Sequence, residues 1–415
     1  MKSFVEYSSN SDFSIHNIPF GVAVFNKEFI ACCTRIGDQV VDLATLYDLA
    51  YFEEIEGLDD NVFEAYTLNE FIELGKPITN AVRLKIQELL MEGSILSKDQ
   101  KTIEDAFYDL DKVKMMMPVH IPNYTDFYSS IEHATNVGKM FRDPANALLP
   151  NWKHLPVGYH GRASSIVVSG TDINRPKGQM KPVDAEKPVF GPCNQLDFEL
   201  EMAFIINKNT EMGESIPTKE AEDAIFGMVV FNDWSARDIQ AWEYVPLGPF
   251  LAKNFGSSVS PWVVTLEALE PFRTASPTQD PEVLDYLKFE GDKNYDINLQ
   301  VYLQPENSEE NLISESNYKF MYWNMTQQLA HHTVNGCNVE VGDMYASGTI
   351  SGSDPKSFGS MLELTWRGQN PIKLNNGQER KFIEDNDTVT MKAWAEKDGV
   401  RVGFGEVSGK IIPTK

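Results

Sequence analysis

From residue 123 onward the chain runs in short apolar stretches cut by glycine and proline, and this punctuation limits the fold more than any other feature. The stretches lie at 165–169, 196–206, 225–231, 262–266, 297–303, 361–366 and 389–395. Strand-length runs with turn signals between them fit an antiparallel sandwich or roll better than a parallel βαβ sheet. No repeat at a fixed period is present, and no glycine-rich phosphate loop precedes a helix, so a nucleotide cofactor has no motif to hold it.

The first 117 residues read differently. Apolar segments at 21–25 and 39–43, bounded by glycine or asparagine, predict strands of a small β domain. Apolar residues at helical spacing predict amphipathic helices over 67–74 and 80–91, the second carried by Val82, Ile86, Leu89 and Leu90. Pro118 and Pro122 then interrupt the pattern, since proline removes a backbone donor and restricts the residue before it. A boundary near Met117 is expected, giving domains 1–117 and 118–415 in a chain that is mainly β, of the α+β kind.

Charge narrows the function. The chain sets 36 Lys and Arg against 61 Asp and Glu, a formal charge of −25, and shows no basic stripe, which disfavours nucleic acid as a partner. With 42% hydrophobic and 11% aromatic residues it is no acidic disordered segment. Cys32 and Cys33 are adjacent while Cys193 and Cys337 stand apart, so neither a disulfide framework nor a C-x-x-C zinc pair is present, and core burial is expected for the adjacent two. The longest dense apolar run, 224–231, falls far short of the roughly 20 residues a bilayer requires, and the first residues lack a signal-peptide stretch. A cytoplasmic protein is expected.

Three stretches could carry chemistry. In LDFELEMAF, residues 196–204, apolar and acidic positions alternate, so in a strand Asp197, Glu199 and Glu201 would share a face about 6.6 Å apart. Either that face is solvated, or the carboxylates hold a hard cation such as Ca²⁺ or Mg²⁺. A second apolar run, 225–231, ends at NDWSARDIQAWEY, where an Asn, Asp or Ser could cap a helix that lines up Arg237, Gln240 and Tyr244. Asp233 could wall a substrate site there or simply pair with Arg237 four residues on. Lys253 follows in a glycine-bearing loop, where a lone lysine is usually solvated. In the third stretch, 123–138, Ser129 or Ser130 would start a helix ending at Gly138, placing His133 in it and Asp126 and Tyr128 just before it. Histidine suits general-base work near neutrality, although most of the seven here would be structural.

These stretches belong to a wider set of blocks: YTDFYSS at 124–130, EHATNVG at 132–138, PNW at 150–152, LPVGYHGRASS at 155–165, DFELE at 197–201, NDWSARDIQ at 232–240, SPWV at 260–263 and SGTISG at 347–352. Together they closely resemble the fumarylacetoacetase family, the fumarylacetoacetate hydrolases, over most of residues 118–370. The resemblance implies a small SH3-like N-terminal barrel, then a β-roll catalytic domain, in a homodimer; charge and hydropathy lead us to expect no nucleic-acid or membrane partner. It implies metal-dependent hydrolysis of a carbon–carbon bond in 4-fumarylacetoacetate, giving fumarate and acetoacetate at the end of tyrosine and phenylalanine catabolism. Carried over position by position, Asp126, Glu199, Glu201 and Asp233 would hold Ca²⁺, with Asp197 on the same face but outside the set. Mg²⁺ would lie near Asp233, Lys253 and Ser257, where relatives commonly carry threonine.

On the same resemblance, His133 would take a proton from water, oriented by Glu363 on a strand over 361–366. Arg237, Gln240 and Lys253 would donate to the oxyanion, and Tyr128, Arg142, Tyr159, Gln240, Tyr244 and Thr349 would contact substrate. Two other readings stay open: a related oxo-acid hydrolase or decarboxylase of the same fold, and a non-enzymatic calcium-binding β protein.

Overall fold

FGVAVF and FIACCTRI are rich in apolar and β-branched residues, and both form strands that are buried on both faces over most of their length. In the computed structural model, which describes residues 1–26 and 29–415, these are β1 (Phe20–Phe25) and β2 (Phe29–Ile36). With β3 (Gln39–Asp42), β4 (Phe107–Asp109) and β5 (Val113–Met115) they make a five-stranded antiparallel sheet in the order β4-β3-β2-β1-β5. The two expected helices follow as α1 (Asn69–Glu73) and α2 (Lys76–Leu90), the latter burying Val82, Ile86, Leu89 and Leu90. Cys32 and Cys33 are buried in this unit, and all four cysteines are free.

The second sheet positions the site. Its strands are β6 (Tyr124–Phe127), β7 (Gly158–His160), β8 (Ile166–Val168), β9 (Leu200–Ile206), β10 (Ile225–Asp233), β11 (Ser257–Val259), β12 (Val264–Thr265) and β13 (Met344–Ala346). Their order is β7-β6-β13-β9-β10-β11-β8, with β12 beside β10. Most neighbours are antiparallel, as the punctuation predicts, but β6 with β13 and β8 with β11 run parallel. All nine residues of β10 are buried because the sheet is covered on both faces. On one side Met202, Phe204, Met228 and Val230 meet a further five-stranded sheet through Leu299, Val301, Met391 and Phe404. On the other, Ala203, Ile205, Phe226 and Phe231 share a cluster with Phe20, Val22 and Phe71 of the N-terminal unit.

Four helices complete the frame: α3 (Ile131–Phe141), α4 (Arg237–Glu243), α5 (Met325–Thr333) and α6 (Met361–Leu364). Local expectations fail where side chains compete for backbone groups. Residues 361–364 are helical, not extended, because Ser360 accepts from the Glu363 N–H at 3.3 Å and caps a turn there. The run 196–206 is two strands, Leu196–Asp197 and β9, broken where the Asp197 carboxylate takes the Phe198 N–H and Asn232 takes the Glu199 N–H. Within 262–266 only β12 is extended before a short helix begins. No side chain caps α4, since Asp233 stays in the sheet as the last residue of β10. Gly138 does not end α3: the helix continues to Phe141, and a Cβ at 138 would lie 2.0 Å from the Ala147 carbonyl oxygen.

Candidate metal centre and catalytic pair

Asp126 lies next to last in β6, paired with Tyr159 of β7, Glu201 sits in β9, Glu199 in the break just before it, and Asp233 at the end of β10. Alternation along neighbouring strands aims all four carboxylates at one point. A ligand oxygen from each lies within 4.8 Å of the others, and all four side chains are buried. The solvated-face reading is therefore overturned, and so is the simple three-residue face. Asp197 turns away to Arg237 Nε at 2.8 Å and to the first N–H groups of α6, Met361 at 2.7 Å and Leu362 at 3.0 Å.

Buried carboxylates need compensation. Arg237, instead of pairing with Asp233, bridges Asp197 and Glu199, the latter at 2.7 Å. Lys253 is buried rather than solvated, and its Nζ bonds both Glu199 and Asp233. Asp233 also accepts from Tyr159 Oη at 3.0 Å and Ser257 Oγ at 2.8 Å. Glu201 accepts from the Gly348 N–H at 3.1 Å. Only glycine fits there: φ is 75°, and a Cβ would meet the Phe127 carbonyl oxygen at 2.3 Å.

Two cations among five carboxylates leave an anionic excess, and it concentrates on Asp126 and Glu201. Burial pushes Asp126 well above the ordinary carboxylate range, and Asp233 adds to the effect. Burial does the same to Glu201, reinforced by Asp126. Burial opposes the Glu199 charge too, but Lys253 and Arg237 outweigh it and hold that carboxyl at about 2. One oxygen of Asp126 and one of Glu201 are buried with no hydrogen-bond partner. A hard, oxygen-seeking cation such as Ca²⁺ or Mg²⁺ fits this donor set, because it would satisfy both orphaned oxygens and offset the charge.

Beside the cluster stands a second arrangement. Ser130 caps α3 and places His133 in its first turn, 3% exposed, with Nδ1 2.6 Å from Glu363 Oε2. Glu363 accepts from Ser351 and Ser360 at 2.9 Å and from Asn136 at 2.9 Å. Burial works against its charge, but His133, Asn136 and Ser351 prevail and keep it below its ordinary value. An ionised Glu363 fixes the proton on Nδ1 and leaves Nε2 as the imidazole's acceptor. Asn136 and Ser360 were not picked out from sequence. Their signals are local: Asn136 is three residues beyond His133 on one helix face, and Ser360-x-x-Glu363 is a capping pattern.

Residues 123–412 match the model for the fumarylacetoacetate (FAA) hydrolase C-terminal region, and residues 16–118 match that for the fumarylacetoacetase N-terminal region. The chain belongs to the fumarylacetoacetate hydrolase family. Fumarylacetoacetase of Homo sapiens is 51% identical over 414 residues, 99% of each chain. That of Arabidopsis thaliana is 48% identical over 419 residues, covering 100% of this chain and 99% of its own. Among solved structures, the fumarylacetoacetate hydrolase of Exiguobacterium antarcticum shares the fold, with TM-score 0.53 and 16% identity over 95% of this chain and 99% of that one.

Against this fumarylacetoacetate hydrolase frame, the remaining expected residues separate into an inner and an outer group. Inside, Arg237 Nη2 and Thr349 Oγ1 are buried without partners. Gln240 spends its amide oxygen on Arg237 Nη1 at 3.3 Å, which leaves its N–H groups to donate elsewhere. The Tyr128 ring stands edge-on to His133 with centroids 5.2 Å apart. Outside, Tyr244 is 52% exposed at the end of α4. Arg142 is exposed and gives both Nε and Nη2 to the Ala147 carbonyl. Lys253 carries no lone pair while protonated, so only its backbone carbonyl could ligate an ion.

Proposed function

We propose that the chain hydrolyses 4-fumarylacetoacetate to fumarate and acetoacetate, the closing reaction of tyrosine and phenylalanine catabolism. The observation that carries this reading is the buried His133–Glu363 pair set beside the four-carboxylate cluster. The name shared by relatives near 50% identity supports the substrate.

Cleavage between a carbonyl carbon and a methylene needs an activated water, donors at the developing oxyanion and a stabilised leaving group. His133 Nε2 accepts the water proton, and Glu363 holds the ring and stabilises the imidazolium. Arg237 Nη2, the Gln240 amide and Lys253 donate to the oxyanion, the kind of contribution in which one lost donor costs roughly 10²–10³ in rate. Asp126, Glu199, Glu201 and Asp233 would hold Ca²⁺, and Asp233, the Lys253 backbone and Ser257 would lie nearest a Mg²⁺. Bound there, a divalent cation supplies carbonyl polarisation and charge for the leaving acetoacetate. Tyr128, Tyr159, Tyr244 and Thr349 line the substrate, and Arg142 grips a terminal carboxylate after exchanging its Ala147 contact.

The same reading takes 1–117 and 118–415 as domains of a cytoplasmic homodimer; no described helix is long and apolar enough to cross a membrane. The test is loss of the substrate's absorbance when enzymatically generated fumarylacetoacetate meets the protein with Ca²⁺ or Mg²⁺. Turnover is expected; its absence, or faster turnover of oxaloacetate or acylpyruvates, overturns the reading.

A further inference from the structure

The turn that leaves α6 is strained. Trp366, Arg367 and Gly368 follow one another with φ of 48°, 60° and 78°, and only the glycine enters that left-handed region without a steric penalty. Backbone bonds close the turn: the Arg367 N–H reaches the Leu362 carbonyl at 2.8 Å, and the Asn370 N–H reaches Thr365 at 2.9 Å. Glycine at 367 would close it as well. The Arg367 side chain supplies what glycine cannot.

Its Nη1 donates to the Met140 carbonyl at 2.9 Å, and its guanidinium carbon lies 4.3 Å from the centroid of the Phe141 ring. Met140 and Phe141 are the last two residues of α3, where unpaired carbonyls and the helix dipole favour a cation. The contact is not a buried one, since Arg367 is exposed and Phe141 is 51% exposed, so core packing does not account for it.

Helix α3 also carries His133 and Asn136, and both bond Glu363 of α6. The two helices therefore meet twice, once in the interior at Glu363 and once at the surface at Arg367. Helix α6 is a single turn of four residues. Asp197 anchors the start of α6 through the Met361 and Leu362 N–H groups, and Arg367, just beyond its last turn, adds a tether from the other end to α3. We infer that Arg367 is a positioning residue for the His133–Glu363 pair, latching α6 to the C-terminal end of α3 and so setting the angle at which the carboxylate meets the imidazole. The inference rests on reading that pair as the general base of the proposed reaction.

The experiment uses the full chain with Arg367→Gly and Arg367→Lys. Glycine deletes the latch while accepting the left-handed backbone, and lysine returns a cation to the helix end. The first readout needs no substrate: the low-field Nδ1–H proton resonance of His133 in histidine-labelled protein, assigned by its loss in Glu363→Gln. The second is kcat and KM on fumarylacetoacetate.

For Arg367→Gly the resonance is expected to broaden by exchange with water, and kcat to fall on the order of 10- to 100-fold with KM within about twofold. Arg367→Lys is expected to recover most of both. A resonance unchanged in Arg367→Gly overturns the inference, whatever the substrate proves to be. A wild-type chain that shows the resonance yet leaves fumarylacetoacetate intact overturns the substrate reading alone, and the latch is then judged on the resonance.

Discussion

His133 is gripped from one side, with Nδ1 at 2.6 Å from Glu363 Oε2 inside a ring of Asn136, Ser351 and Ser360. The orientation of its ring is thus set by a neighbour 230 positions away. Replacing His133 by alanine is expected to lower kcat by roughly 10²–10⁴-fold, the range of general-base catalysis. Calorimetric Ca²⁺ binding should persist, because His133 is outside the cluster of Asp126, Glu199, Glu201 and Asp233. If Ca²⁺ binding disappears with the imidazole, the separation of base from metal centre is wrong. Asp197 marks the limit of residue-level reading. Its alternation with Glu199 and Glu201 was legible, yet its carboxylate holds Arg237 and the start of α6.

At the scale of elements, what matters is how closely one backbone can approach another. Helix α3 runs past Gly138 because the segment at Ala147 packs directly over it. A methyl group at 138 must displace that backbone, so Gly138→Ala is expected to destabilise the fold by about 1–3 kcal/mol despite alanine's better helix propensity. A thermal melt that shows no loss would mean the 147 segment yields freely. Helices were readable where apolar spacing or a cap stood out locally, as in α2 and in the Ser130 start of α3, but the helix that Asn324 caps at Met325–Thr333 was not. The run 361–366 misled because its alternating pattern fits a strand, while Ser360 and the Asp197 carboxylate stabilise a helical turn instead.

Two features belong to the molecule as a whole. The first is charge stored in the interior. Asp126 and Glu201 hold protons more tightly folded than unfolded, where their ordinary values are 3.8 and 4.5. The metal-free protein therefore loses stability as pH rises from that range through the raised values. Ca²⁺ must displace those protons, so its stabilising effect grows with pH. At one fixed Ca²⁺ concentration, chosen as 100 times the Kd near about pH 8, it should contribute about 2.7 kcal/mol there, and the rise in Tm should be smaller near about pH 5.5, where proton competition raises Kd. An equal rise at both would show that neither carboxyl is protonated in the metal-free state.

The second feature is the continuous cluster joining the N-terminal unit to the second sheet, where the Phe226 ring lies 5.9 Å from Phe20 and 6.1 Å from Phe71. The two units are expected to melt in one calorimetric transition. Phe226→Ala should lower that transition by about 3–5 kcal/mol of stability. Separate transitions in the unaltered chain would contradict this shared core.

The sequence by itself determined the β-rich architecture, the helix around His133, and, through its motif blocks, the carboxylates that gather at one point. The strands and the helix are written in local periodicity and capping residues, each decided within about ten neighbours, whereas the four carboxylates, spread from Asp126 to Asp233, are named by the resemblance of the motif blocks. Only the tertiary structure decided that Glu363 stands on a helical turn, that Arg237 faces Asp197 and Glu199 instead of Asp233, and that Lys253 is buried among carboxylates. The physical reason is that these pairings join distant strands. Burial leaves each charge no solvent to fall back on, so its partner is chosen by whichever group the fold brings within reach.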